Sequence, residues 1–473
     1  MTAEEILASI TRDQVEFLDL KFVDLPGTWH HITVPTSEVD EDTFTRGVPF
    51  DGSSLRGFRE IQESDMVLMP DPATAFVDPF MDRPTISVTA EVLTPDLAVY
   101  DRDPRGVARR AESYLKATGV ADTAYFGPEL EFFVFDRVGY SIAPHDSFYM
   151  IDSEEAIWGT GEPDGNLGYR IRPKEGYTPV APHDALANLR NEIVSLLKAA
   201  GLRVERHHHE VATAGQSEIG FGHDTLLRTA DNVLLYKYIV KNTAQVHGKT
   251  ATFMPKPIFG DNGSGMHTHQ SLWKDGAPLF ADASGYAGIS ATGLSYVAGI
   301  LTHAPALVGL VNASTNSFKR LVPGFEAPVD LVFSKGNRSA AVRIPIAVTS
   351  PKTTRIEFRT PDSTGNPYLA FAAMMMAGLD GVRRNLDPAA MGLGPLEKNI
   401  YHLSAEERAA IRSVPDSLEA ALAALEADHG FLLEGGVFSE DLIQDWITMK
   451  RDVEVKQVNL RPTPYEYYLY FDI

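Results

Sequence analysis

Apolar and polar positions change rhythm along the chain. Over residues 15–99, short β-type runs (16–23 and 85–90) are separated by turn clusters at Asp51-Gly52-Ser53-Ser54 and Pro70-Asp71-Pro72, which predicts a small sheet domain. Asp103-Pro104 then reads as the N-cap and first residue of a helix that Gly119 ends. The domain boundary therefore falls between residues 13–102 and 103–473. Beyond it helices and strands alternate. Helices are expected over 185–200, capped by Asp184 and stopped by Gly201, over about 225–245, and from Asn366-Pro367 towards Arg383. The strands expected over 130–135, 266–272 and 355–359 place charged or His residues on alternating positions, which share one face of a strand. Residues 159–174, rich in Gly and polar side chains, read as a loop.

Those one-faced polar strands carry the candidate chemistry. Glu129 and Glu131 project together from a run that continues into Phe132-Phe133-Val134-Phe135, and two like charges beside so apolar a stretch are costly to bury without a cation between them. In Glu205-Arg206-His207-His208-His209-Glu210, followed by Glu218, adjacent histidines point apart and cannot all reach one ion, so Glu210 and Glu218 are the better ligands. The Gly-rich run 260–266 leads into a strand where His267, His269 and Ser271 share a face. It is neither a dinucleotide fingerprint nor a P-loop; Gly248-Lys249-Thr250 lacks the upstream glycine, since position 243 is Thr.

Composition sharpens this picture. The 473 residues carry 42 Lys+Arg against 64 Asp+Glu, a net charge of −22, which argues against broad binding to nucleic acid or an anionic membrane. An anionic substrate would need a local cationic pocket, and Arg320, Arg338, Arg343, Lys352, Arg355 and Arg359 crowd into one stretch of this acidic chain. There is no cysteine, which excludes disulfides, Cys-ligated zinc, iron–sulfur clusters and thiol nucleophiles. The N-terminus has no signal-peptide pattern, and the most apolar window, 294–311, contains His303 and Pro305, so a cytoplasmic protein is expected. Five carboxylates (Glu129, Glu131, Glu210, Glu218, Glu357) with His267 form an oxygen-rich donor set suited to Mg²⁺ or Mn²⁺, and paired ions beside arginines would clamp nucleotide phosphates.

The motifs then carry a resemblance. Asp51-Gly-Ser-Ser54, Glu129-x-Glu131, His207-His-His-Glu210 with Glu218, the run from Lys256 to His267 (KPIFGDNGSGMH), the run from Asn316 through Arg320 to Glu326, Asn337-Arg-Ser339 and Arg355-x-Glu357-x-Arg359 match in order and spacing. The chain resembles a bacterial type I glutamine synthetase along essentially its whole length. The resemblance implies an α+β fold: an N-terminal β-grasp domain and a large catalytic domain whose curved, mainly antiparallel sheet is flanked by helices and forms part of a barrel. It implies a dodecamer of two stacked hexameric rings with active sites shared between neighbours in a ring. One divalent ion would sit on Glu131, Glu210 and Glu218 and another on Glu129, His267 and Glu357, with two to three ions per subunit. Glutamate would lie against Asn262, Gly263, Arg320, Glu326, Arg338 and Arg359. ATP would meet Glu205, His269, Ser271, Arg338, Arg343 and Lys352, with Arg338 near the transferred phosphoryl group. Asp51 and Glu326 would hold ammonium and help remove its proton, and residues 323–326 would form a lid. The expected reaction joins ammonium to the γ-carboxylate of L-glutamate at the expense of ATP. Relatives that use polyamines or other amines, and non-catalytic structural relatives, are the alternatives. The acidic pair that would hold a small cation favours ammonium, and the full set of ligands and arginines favours an enzyme. Two departures stand out. His223-Asp224 replaces an aromatic-Asn pair near the adenine site, and Tyr401, in a segment resembling the one adenylylated in regulated members by an adenylyltransferase, is followed by His402 instead of an acidic residue.

Overall fold

The computed structural model describes residues 1–58, 64–158, 168–322, 328–346, 350–398 and 403–473. The first sheet contains β1 (Phe17–Val23), β2 (Trp29–Pro35), β3 (Val48–Asp51), β4 (Asp65–Pro70), β5 (Phe76–Val77) and β6 (Thr85–Leu93). Its order is β2-β1-β6-β4-β3, with β5 also on β6; β1 and β6 run parallel and the other pairs antiparallel. Leu18, Leu20, Met66, Leu68, Val88 and Val92 form a core of their own beneath it. Helix α1 (Ala3–Arg12), ahead of the residues read as this domain, closes a Thr2/Glu5 capping box and adds Ile6 to the same core. A short helix α2 (Glu41–Thr45) follows β2.

The catalytic unit begins with α3 (Pro104–Thr118). Asp103 caps it by accepting from the amides of Arg105 and Gly106, and Gly119 at φ 69° ends it. Then come β7 (Thr123–Phe135), the hairpin β8 (Arg137–Ala143) and β9 (Asp146–Asp152), α4 (Ala187–Ala199), β10 (Val204–His209), β11 (Gln216–Phe221), β12 (Asp224–Thr225), α5 (Leu226–Val246) and β13 (Thr250–Thr252). They are followed by β14 (Met266–Lys274), β15 (Ala277–Pro278), α6 (Ala291–Val311), α7 (Ser317–Arg320), β16 (Asp330–Lys335), β17 (Ala340–Ile344), β18 (Ile356–Phe358) and α8 (Pro367–Arg383). The large sheet has the order β10-β11-β7-β14-β18-β17-β16 and is antiparallel except for β16 with β17.

One face of this sheet packs on helices. Along β14 every second residue from Met266 to Leu272 is buried, and Gln270 of this set accepts from the Tyr296 hydroxyl on α6 at 2.7 Å. Helix α6 is long and apolar enough to cross a membrane, but 78% of its most apolar window is buried inside the protein, which makes it a core helix. It crosses α8 where Gly299 meets Gly381; a Cβ on Gly381 would lie 2.7 Å from the Gly299 Cα, so any larger residue would push the helices apart.

Polar bonds seat the small domain on the large one. The buried Arg105 guanidinium holds Asp231 of α5 at 2.9 and 3.0 Å while also reaching Glu91 at 3.0 Å and Asp71 at 2.6 Å in the first domain. Asn366, the N-cap of α8, donates to the carbonyls of Asp24 and Leu25.

The helix expected over 185–200 starts two residues late. Asp184 does not cap it; its carboxylate is committed to Arg190 at 2.5 Å, and no side chain caps Leu186 in its place. The strand expected over 355–359 is shorter, Ile356–Phe358. Of the loop expected over 159–174, residues 159–167 lie outside the described residues; in the remainder Ile171 makes an isolated bridge to Ala156.

Candidate active site

The open face of the large sheet collects the charged residues by register. Across one row His208 (β10) faces Glu218 (β11), which faces Glu131 (β7). In the next row Arg206 faces Gly220, Gly220 faces Glu129, and Glu129 faces His267 of β14. His269 is paired with Glu357 of β18, and Glu357 with Arg343 of β17. The two-residue period of each strand therefore puts carboxylates, imidazoles and guanidinium groups from six strands on one surface. All of these named side chains but His269 line a cavity of about 260 Å³. Its walls include all six expected metal ligands (Glu129, Glu131, Glu210, Glu218, His267, Glu357), and also Asn262, Gly263, Arg320, Arg338, Arg343 and Arg359.

Charge is unevenly balanced within it. Burial and the facing Glu210 push the Glu131 carboxyl up to about 7, and burial with Glu129, Glu131 and Glu210 pushes Glu218 well above the usual range. Burial would also raise Glu129, but a hydrogen bond and charge from His269, with Arg206 and Arg343, hold it at about 2. His267 is kept neutral by burial and by Arg359, Arg320, His269 and Arg343. Glu357 is gripped by Arg359 and touched by Arg343 at 2.8 Å, yet its buried Oε2 receives no aligned hydrogen bond.

These donors fit hard divalent cations. Ligand atoms of His208, Glu210 and Glu218 lie within 4.8 Å of one another, as do those of Glu129, His269 and Glu357. The carboxyl groups near Glu131 carry more negative charge than their surroundings neutralise, and Glu357 Oε2 has an acceptor position to offer. The second group gathers His269, and His267 also approaches it, with Nδ1 3.9 Å from Glu129 and 3.8 Å from Glu357.

Five expected residues among those described lie beyond the cavity lining. His269 takes a bond from Arg355 on Nδ1 at 3.2 Å, so its Nε2–H donates to Glu129 at 3.2 Å. Ser271 accepts from the Trp273 indole, Glu205 pairs with Arg203, and Lys352 lies exposed on the turn Pro351–Thr353. Asp51 is exposed, bonded to the amide and hydroxyl of Ser53, and absent from this cavity. Glu326, the expected lid and Tyr401 lie outside the described residues. Near the departure at His223, that ring meets Tyr125 edge-on, and Tyr125 meets Trp273 likewise, giving an aromatic margin beside Ser271.

Five lining residues were not foreseen: Tyr177, Arg206, His208, Val211 and Gln216. Counting back in twos from Glu210 into β10 would have found His208 and Arg206. Of the three histidines only His208 turns inward. His207 bonds Asn191, and His209 is buried against Glu155. Gln216 reaches the Gly263 carbonyl at 3.1 Å and Glu131 at 3.4 Å, tying the Gly-rich loop to the ligand face.

A small sheet domain joined to a curved sheet whose face pairs clustered carboxylates with clustered arginines defines a protein built to hold divalent cations beside anionic substrates. The family models agree: residues 14–95 match the glutamine synthetase β-grasp domain and residues 101–470 the glutamine synthetase catalytic domain. Glutamine synthetase from Mycolicibacterium smegmatis is 54% identical over 100% of this chain and 99% of its own, and that from Nostoc sp. is 52% identical over 100% of both. The solved Plasmodium falciparum glutamine synthetase superposes with a TM-score of 0.90 at 29% identity, covering 99% of each chain. The chain belongs to the glutamine synthetase family. It is a glutamate–ammonia ligase, using ATP and divalent metal to make glutamine from glutamate and ammonium.

Proposed function

We propose that the cavity performs this ligation with the residues its two-residue strand register gathers. Glu131, Glu210 and Glu218 would hold one Mg²⁺ or Mn²⁺, with His208 completing that set, and Glu129, Glu357 and His267 would hold another. The bound ions would neutralise phosphate charge as it builds up in phosphoryl transfer. A carboxylate is a poor electrophile, so the glutamate γ-carboxylate first takes the γ-phosphoryl group of ATP, giving γ-glutamyl phosphate and ADP. Arg320 and Arg359, with Asn262 and Gly263, would orient glutamate, and Arg338 and Arg343 would stabilise the phosphoryl oxygens. Glu205, His269, Ser271 and Lys352 would bind the rest of the nucleotide. Ammonium has no lone pair to attack with, so Asp51 and Glu326 would bind the cation and remove one proton. Ammonia then adds to the acyl carbon, and phosphate leaves with the C–O bond.

Because Asp51 is exposed on the small domain, we assign it to the cavity of a neighbouring subunit, in a dodecamer of two stacked hexameric rings working in the cytoplasm. Tyr401 is assigned as an adenylylation site for an adenylyltransferase. The observation that carries the reading is the convergence of six ligand residues and five arginines on one cavity. The test is phosphate release from ATP: it should require both glutamate and ammonium, and putrescine should not replace ammonium. Glu357→Ala should lower the rate by at least about a hundredfold, since it removes a metal ligand and strands Arg343 and Arg359. A fully active Glu357→Ala protein would refute the assignment.

A further inference from the structure

Arg206 has no role in the assignments above, yet it stands in the same register as the ligands. It precedes His208 by two residues on β10 and so shares the cavity face, where it is part of the wall. Opposite it on β11 is Gly220, and opposite Gly220 on β7 is Glu129. The glycine leaves an open lane. A Cβ built on Gly220 would touch the Arg206 stem at 3.8 Å, so that stem lies over the glycine and carries the guanidinium two strands across, to Glu129 Oε1 at 3.3 Å. In the adjoining lane the position equivalent to Gly220 is Glu218, a ligand candidate.

The other cavity arginines with recorded partners are held more firmly. Arg343 and Arg359 bracket Glu357, and buried Arg320 donates to the Thr360 and Pro361 carbonyls. Arg206 keeps 59% of its side chain exposed, and the carboxylate it touches is one expected to carry a divalent ion. That same Oε1 also accepts from His269 at 3.2 Å. A divalent cation on Glu129 would repel the guanidinium and take its acceptor, leaving a long, half-exposed cation at the mouth of the cavity with nothing to bind except an incoming anion.

We infer that Arg206 is a nucleotide-phosphate ligand that rests on Glu129 in the cation-free protein and transfers to the polyphosphate of ATP when the site is loaded. This rests on placing ATP in the cavity, as proposed above.

Titration calorimetry of the intact protein in Mg²⁺, with a non-hydrolysable ATP analogue and with AMP, tests it on Arg206→Ala, Arg206→Lys and, as a reference, Arg343→Ala. Arg206→Ala should weaken the analogue about tenfold, as loss of a charge-assisted contact does, while AMP changes little. Arg206→Lys should recover part of the loss, keeping the charge without the fork. The KM for ATP should rise in parallel and the KM for glutamate should not. If Arg206→Ala binds the analogue as before while Arg343→Ala binds it worse, the role of Arg206 is refuted and the site reading stands. If Arg206→Ala binds the analogue more tightly, Arg206 is only a placeholder for the cation, and the inference is equally overturned. If neither variant changes binding, ATP does not occupy this cavity and both readings fall.

Discussion

Glu131 and Glu129 point from the same strand face two residues apart, yet their environments drive them in opposite directions. Glu129, held at about 2 by His269 and the arginines, is ionised at any working pH. Glu131, pushed up to about 7 by burial and Glu210, still carries a proton for much of the neutral range, and Glu218 is raised for the same reasons. A divalent ion needs carboxylates, so its binding must expel those protons. Mn²⁺ affinity measured between about pH 6 and about pH 8 should climb with pH, steepest near 7, and Glu131→Gln should flatten the slope while weakening binding. The sign for stability follows from the same shift. A carboxyl whose pKa is raised on folding stabilises the metal-free protein while protonated and ceases to do so as pH rises through about 7, so added metal should raise the melting temperature most on the alkaline side. A shift in affinity that ignores pH would contradict this. The shared face of Glu129 and Glu131 was readable in the sequence because an i, i+2 pair declares one strand face. Arg206 and His208 were not singled out, because their use depends on which residue stands opposite on β11 and β7, and cross-strand register leaves no trace in a single run of residues.

Caps announced two of the helices. Asp103-Pro104 and Asn366-Pro367 announce α3 and α8, and both caps are made. The start of α4 misled because the carboxylate of Asp184 is worth more as the partner of the buried Arg190 than as a cap. Within α6, His303 looked like an interruption of an apolar stretch, but it is a clamp. Its Nε2 faces Asp380 of α8 at 2.9 Å and its Nδ1 faces Asp428 at 2.8 Å, just past the helix Leu418–Ala427. Its ring stacks on Phe431 at 4.0 Å. Carboxylates only accept, so both ring nitrogens must donate, which makes the group an imidazolium. Burial opposes that charge, but the bonds His303 donates to Asp428 and Asp380 outweigh it and raise the pKa; Arg384, bonded to Asp380 at 2.9 Å, is a further cation at the cluster. A histidine raised on folding contributes stability that is full below about pH 6.5 and is lost as pH climbs through the higher folded value. Thermal melts should therefore show the native protein losing stability on that alkaline side, and His303→Gln should be less stable at low pH and lack that part of the slope. Parallel pH profiles for the two proteins would refute the clamp.

At the scale of the whole molecule, the question is why a residue proposed to handle ammonium should sit outside the cavity. The small domain is not loosely tethered: Arg105 binds carboxylates of both domains, and Asn366 caps α8 while holding the backbone of β1's end, so Asp51 has a fixed place on the chain. A fixed and exposed carboxylate outside its own cavity would serve the proposed ring, since each site would then form only where two copies meet. The sequence could show that Asp51 belonged to a separate domain but not whose cavity it completes, because contacts between copies leave no periodicity in either. Mixed assemblies decide the matter. Asp51→Ala and Glu357→Ala proteins should each be inactive alone. In equal co-assembly, a site is whole when its cavity comes from an Asp51→Ala copy and its neighbour is a Glu357→Ala copy, which random mixing gives at about a quarter of sites. Recovery of about that fraction of native activity would establish the shared site. If the two inactive proteins stay inactive after verified co-assembly, Asp51 acts within its own chain, and the small domain must be carrying it there by a movement that first breaks the Arg105 bonds.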